Sequence, residues 1–300
     1  MSGEAEKAGK DFLARLPFLH SPVYCLSMEK AKREQKFQKQ APPSSRRPGR
    51  DPLLWVLLAL ALILFSILMG MLLARKNPPP APQRLQGPVE LSGKSWDSFG
   101  DSITDHGFWQ PLVLQDIPLE HRDHGISGSC VCGPGLNPFW SEERITALIA
   151  DQPDIITIMG GTNDFFSAYP IGGVEELSRP LEEKDRNSFL GAYAYLVERL
   201  QAALPECKIF IMSTPQNYFD FQLKGPEPNQ AGLKTADYAK ACRKIAEHYG
   251  CGFIDVFGIP YKDDQAFMAD HDDGIHPNGS GAAKIAVLVS SAFQAYSEGR

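Results

Sequence analysis

The sequence predicts an α/β fold: a doubly wound, flavodoxin-like sheet of five parallel strands with helices on both faces, preceded by one transmembrane helix. Three observations predict the sheet. The runs 155–159 (Ile-Ile-Thr-Ile-Met) and 209–212 (Ile-Phe-Ile-Met) are almost wholly apolar, the pattern of parallel strands covered on both faces. From residue 90 onward, strand-like runs alternate with helical patterns. Gly- and Asp-bearing turns then fall just past strand ends, where such sheets build their sites.

The candidate strands are 95–99, 119–124, 155–159, 208–213 and 252–256. Helical patterns lie between and after them at 139–150, 188–203, 234–249 and 281–296. No internal repeat is visible. With 300 residues, 43% of them hydrophobic, the chain is long enough for one such domain at 90–300 plus appendages.

The appendages precede it. Residues 1–52 read as a basic cytoplasmic tail: positions 1–50 hold 11 Lys/Arg against 5 Asp/Glu, whereas 85–300 hold 16 against 30, a charge of −14. A basic tail beside an acidic domain argues against nucleic acid as a partner and suits attraction to anionic lipid. Residues 53–74 form 22 uncharged positions interrupted only by Ser66 and Gly70. As a helix they reach roughly 33 Å, enough for a bilayer core. A cleaved signal peptide fits less well, because its charged region would be 50 residues long and no small-x-small site follows. Eight Lys/Arg between Lys30 and Arg50 precede the run and only Arg75, Lys76 and Arg84 follow closely. The positive-inside rule therefore places the N-terminus in the cytoplasm and the distal domain outside, as a single-pass membrane protein. Residues 75–89 form a Pro-rich linker, a stiff spacer between membrane and domain.

Six scattered cysteines (Cys25, Cys130, Cys132, Cys207, Cys242, Cys251) do not make a disulfide framework. A Cys207–Cys251 bridge is conceivable from their placement alone. Cys130-x-Cys132 near His121 and His124 matches no standard zinc spacing and reads as a loop without metal.

Four stretches carry the chemistry. Gly100 allows a sharp turn after the first strand, which leaves the Ser102 hydroxyl at the mouth of the fold. Gly125-Ile126-Ser127-Gly128 follows the second strand and Gly160-Gly161-Thr162-Asn163-Asp164 the third. Asp273-Gly274-Ile275-His276-Pro277 precedes the last helix. Ester cleavage by a hydroxyl needs a base, and the base needs an orienting carboxylate. His276 and Asp273, three apart on one loop, suit those roles. The tetrahedral intermediate needs donors, which the Ser102 and Gly128 N–H groups and the Asn163 amide would supply. Gly128 suits because no side chain blocks its N–H. The competing readings are a structural His276 capping a helix and an Asn163 that only caps its turn. Asp101 and Asp164 read as hydrogen-bonding supports for their loops, and His106 and His271 as bystanders close to the motifs in sequence.

These blocks resemble those of the SGNH (GDSL-like) hydrolases. Phe99-Gly100-Asp101-Ser102 resembles the first block, Gly125–Gly128 the second, Gly161-Thr162-Asn163-Asp164 the third and Asp273–Pro277 the fifth, in the right order across 90–300. The resemblance implies a Ser102/His276/Asp273 triad and an oxyanion hole from Ser102, Gly128 and Asn163, without metal or cofactor. One departure is that His124 stands where the second block often opens with Asn.

The expected function is that of a membrane-anchored, extracytoplasmic serine esterase acting on a short acyl (O-acetyl type) ester of a glycan through an acyl-enzyme. A lysophospholipid or other lipid ester is the next substrate class. An O-acyltransferase with the same triad and a non-catalytic glycan-binding domain are the rivals. Aromatics in 165–187 (Phe165, Phe166, Tyr169) and 215–232 (Tyr218, Phe219, Phe221) either line the substrate site or anchor their loops.

Overall fold

The computed structural model describes residues 90–299 apart from residue 136. The basic tail, the apolar run 53–74 and the Pro-rich linker lie outside the described residues, and the transmembrane expectation lies there with them. Among the described residues no helix is long and apolar enough to cross a membrane.

Five strands form the sheet: β1 (Ser95–Gly100), β2 (Glu120–Gly125), β3 (Ile155–Met159), β4 (Lys208–Met212) and β5 (Gly252–Ile254). All pair in parallel in the order β2-β1-β3-β4-β5. This is the flavodoxin-like winding anticipated from the sequence, in which ligands bind beyond the strand ends where the winding reverses, between β1 and β3.

The helices are α1 (Ser102–Asp105), α2 (Gln110–Asp116), α3 (Glu142–Ala150), α4 (Thr162–Phe166), α5 (Phe189–Ala203), α6 (Thr235–Tyr249), α7 (Asp264–Met268) and α8 (Gly279–Ser297). The two-residue period of the strands sorts the core between two faces. Phe99, Ile156, Ile158, Ile209 and Ile211 point toward α3, α5 and α6. Trp96, Ile155, Met159, Phe210 and Met212 point toward α2 and α8. Every residue of β3 and β4 is buried, as their apolar runs require. Edge strand β2 (Glu-His-Arg-Asp-His-Gly) is only partly covered and accordingly polar.

Boundaries move for identifiable reasons. The last helix starts at Gly279 because the Asn278 side chain caps it, accepting from Ser280 N (3.0 Å) and Gly281 N (3.3 Å). β5 stops at Ile254, where the Val256 N–H turns back onto the Ile254 carbonyl (3.1 Å). The short helices α1, α2, α4 and α7 went unread because four to seven residues are too few to display a helical period.

Candidate active site

The turn after β1 is built around Gly100 and Asp101. A Cβ on Gly100 would collide with the Thr104 side chain and the Met159 carbonyl, so only glycine lets α1 start directly over the strand end. Asp101 caps that helix, its Oδ1 accepting from Ile103 N at 3.0 Å. Ser102 is thereby the first helical residue, half-buried at the end of the sheet.

The loop after α7 meets it from the other side. His276 Nε2 lies 2.8 Å from Ser102 Oγ, and His276 Nδ1 lies 2.7 Å from Asp273 Oδ2. Asp273 Oδ1 also accepts the N–H groups of Ile275 (2.9 Å) and His276 (2.7 Å). An ionised carboxylate only accepts, so the imidazole proton sits on Nδ1 and Nε2 accepts from the serine hydroxyl. The hydrogen bond to Asp273 raises the His276 pKa above 6.5, against the opposing effect of burial. Burial alone would raise the Asp273 pKa, but the His276 ring and the two N–H donors outweigh it and hold the carboxyl far below its ordinary range.

Gly128 has φ +76°, and open space surrounds the position a Cβ would take. Its loop is tied down by Asp105, which accepts from the Ser127 N–H (3.1 Å) and from the Ser127 hydroxyl. Gly161 (φ +112°) starts α4, and Asn163 in its first turn donates Nδ2 to the Ser129 carbonyl at 2.9 Å. The second amide hydrogen of Asn163 remains, and among the described residues the Ser102 and Gly128 N–H groups have no backbone acceptor. The structure thus gathers Ser102, Gly128, Asn163, His276 and Asp273 at one end of the sheet.

The supporting roles read for Asp101 and Asp164 fit their geometry. Asp164 is fully buried and accepts from Val131 N (2.9 Å), Cys132 N (3.0 Å) and Cys132 Sγ (3.2 Å), which fixes the stretch after Gly128. Burial pushes its pKa to about 6 and that of Asp101 to about 7. His124, in place of the Asn usual in the second block, turns its ring to Asp97 and Asp151 (3.2 and 2.9 Å) and leaves the loop's hydrogen bonds to Asp105 and Asp123.

The two histidines read as bystanders differ in placement. His271 is a buried structural residue, stacked on Phe267 at 3.9 Å and bonded to its carbonyl. His106, by contrast, lies against the reacting imidazole, its ring 4.6 Å from that of His276 and edged by exposed Phe108. Its position four residues beyond Ser102, one helical turn on, was the available signal.

None of the five described cysteines is in a disulfide. Cys130 and Cys132 are buried beside Ser167 and Asp164, and burial pushes the Cys130 thiol up to about 12 and the Cys132 thiol higher still. Neither is poised for oxidation at neutral pH. Among the described residues Asp97, His124 and Asp151 form a group that could offer metal ligands, their ligand atoms lying within 4.8 Å of one another. Arg122 already stands 2.8 Å from Asp97 and 3.4 Å from Asp151, and the hydrogen bond to Asp97 raises the His124 pKa. The aromatics of the variable loops divide. Phe165 is buried among Phe219 and Tyr238, and Phe221 stacks on Phe267, so both anchor their loops, whereas Phe166 stays 39% exposed.

A profile of the GDSL-like lipase/acylhydrolase family matches residues 98–284, from the strand before Ser102 to the helix after His276. The chain belongs to this family. Membership places the GDSL-like chain among the carboxylic ester hydrolases. An acetylxylan esterase of Xylanibacter ruminicola is 26% identical over 224 residues, covering 72% of this chain but 45% of that protein, so the chain spans less than half of that relative. An isoamyl acetate-hydrolyzing esterase 1 homolog of Bos taurus is 26% identical over 200 residues, 61% of this chain and 74% of the relative. A crystal structure of a Lactobacillus plantarum protein superposes with TM-score 0.56 at 23% identity, over 68% of this chain and 96% of that one. The GDSL-like chain shares its fold.

Proposed function

We propose that the protein is a serine esterase that removes a short acyl group, of acetyl size, through a Ser102/His276/Asp273 triad. The observation that carries this reading is the relay of 2.8 and 2.7 Å from Ser102 Oγ through His276 to Asp273. Ser102 Oγ attacks the ester carbonyl while His276 Nε2 takes its proton. The resulting oxyanion meets the N–H groups of Ser102 and Gly128 and the free amide hydrogen of Asn163. Collapse expels the alcohol, which takes the proton back from His276. Water, activated by the same imidazole, then releases the acid and restores the serine. Asp273 holds the ring in the productive tautomer and stabilises the imidazolium that forms.

The preference for an acetyl ester rests on the relatives, an acetylxylan esterase and isoamyl acetate-hydrolyzing esterase homologs, which differ in alcohol and share the acetyl group. The acylated partner in this reading is a glycan. We further propose that residues 53–74 anchor the chain in a membrane with the esterase domain on the outer side, because the uncharged run and its basic N-terminal flank satisfy the requirements of a signal-anchor.

The test is hydrolysis of p-nitrophenyl acetate, butyrate and octanoate by the detergent-solubilised full chain beside Ser102→Ala. Loss of about 10³-fold or more of kcat in the variant, with acetate preferred in the parent, is the expected result. Equal rates in both proteins would remove Ser102 from the mechanism, and a preference for octanoate would turn the reading toward lipid esters.

A further inference from the structure

Beneath the site lies a charged side chain that neither the motif blocks nor the triad accounts for. Arg144, on α3, is only 6% exposed. Its Nη2 donates to the carbonyls of Gly100 (2.8 Å) and His124 (2.9 Å), which stand at the ends of neighbouring strands β1 and β2. Its Nη1 donates to Ser129 Oγ (3.0 Å) and to the Asn137 carbonyl (3.1 Å), on the loop that carries Gly128. The faces of the guanidinium are filled by Phe99 at 4.1 Å and Phe139 at 4.8 Å. Burial lowers its pKa to about 10, so the group stays charged at neutral pH.

Burying a cation is costly unless its donors are satisfied, and here Nη1 and Nη2 reach the Ser129 hydroxyl and the Gly100 carbonyl, which stand beside the oxyanion donors. Ser129, held by Arg144, passes its own hydroxyl hydrogen to the Ile126 carbonyl at 2.8 Å. Gly128 lies between these two residues, so the direction of its N–H follows from where they are held. The Ser129 carbonyl in turn receives Asn163 Nδ2. Gly100, whose carbonyl also accepts from Arg144 and from Ile126 N (3.1 Å), lies two residues before Ser102. Ser102 and Gly128 therefore connect to one guanidinium by a single hydrogen bond and a short stretch of chain, and Asn163 by two hydrogen bonds through Ser129.

We infer that Arg144 is a positioning residue for the oxyanion hole, setting the separation of the Ser102 and Gly128 N–H groups and the Asn163 amide without touching substrate. The inference rests on the serine-esterase reading above. A fork of coplanar donors is needed to reach two strand ends and a loop at once, which lysine cannot supply.

The experiment uses the full chain and its variants Arg144→Met, Arg144→Lys and Ser129→Ala beside Ser102→Ala. It measures kcat and KM on p-nitrophenyl acetate, the inhibition constant of methylboronic acid, whose tetrahedral serine adduct places an oxygen in the hole, and the melting temperature. Arg144→Met is expected to lose about 100-fold in kcat, the scale of one oxyanion donor, with KM within threefold and boronate affinity weakened in parallel. Arg144→Lys recovers less than a tenth of the lost rate, and Ser129→Ala loses about tenfold in both kcat and boronate affinity. A folded Arg144→Met or Ser129→Ala that keeps kcat within twofold, or that loses kcat with boronate affinity unchanged, overturns the inference. If the Arg144 variants do not fold, Ser129→Ala decides by the same criteria. Activity surviving in Ser102→Ala overturns the underlying reading instead.

Discussion

His276 works between two hydrogen bonds, one to Asp273 and one to Ser102. Asp273 favours the imidazolium and so raises the pKa of the ring above 6.5. Catalysis needs the neutral ring, so kcat/KM is expected to fall as pH drops through that raised value, placing the acid limb of the profile above pH 6.5. Asp273→Asn removes the support: the limb should move to lower pH while the plateau falls by about 10³–10⁴-fold, because the ring loses its productive tautomer. A pH–rate profile of both proteins checks this, and an unmoved limb would mean that another group titrates there. At this scale, the sequence revealed the residues whose role depends on a short spacing within one loop. Asp273 and His276 sit three apart and Ser102 follows Gly100 by two, so both pairs could be read directly. Arg144 and His106 could not. Arg144 acts across 44 residues to Gly100, and His106 reaches a ring 170 positions away.

The strand–turn–helix unit β1–α1 stores a cost that its local sequence does not display. Asp101 caps α1 with one carboxyl oxygen, while the other is buried without a hydrogen-bond partner. Burial raises its pKa to about 7. A carboxyl near 4 in the unfolded chain and near 7 in the folded one favours folding most below pH 4, and that contribution is lost as pH rises toward 7. Asn retains a capping oxygen without ionising. Asp101→Asn is therefore expected to cancel about 2–3 kcal/mol of the parent's fall in unfolding free energy between pH 5 and pH 8. Urea denaturation at both pH values measures it, and parallel pH dependence in the two proteins would show that Asp101 ionises normally. Asp164 adds a fall of the same sign in both proteins. The strand and the turn were legible because Gly100 and the flanking apolar residues announce them. The burial of the cap was not, because it depends on what Asp164 and Arg144 bring from later elements.

For the domain, the parallel, doubly wound class of the sheet was legible in two nearly all-apolar strands and alternating helices, whereas the partner faces followed only from packing. Charge is the whole-molecule property with a functional consequence still to be tested. Residues 85–300 carry −14, and the candidate site opens at one end of that acidic domain. An anionic ester approaching it meets a repulsion extending about 30 Å at 0.01 M salt and about 8 Å at 0.15 M. A neutral ester meets none. Raising salt from about 0.01 to 0.15 M should therefore increase kcat/KM several-fold for an acetyl ester bearing a carboxylate, through faster encounter, and leave kcat unchanged. The value for p-nitrophenyl acetate should stay within about 1.5-fold over the same range. The comparison needs one detergent-solubilised preparation and two substrates of equal leaving-group acidity. A flat response to salt for the anionic ester would show that local cations, Arg144 beneath the oxyanion loop among them, offset the domain's charge at the mouth of the site, and acidic acetylated glycans would then become substrates on equal terms with neutral ones.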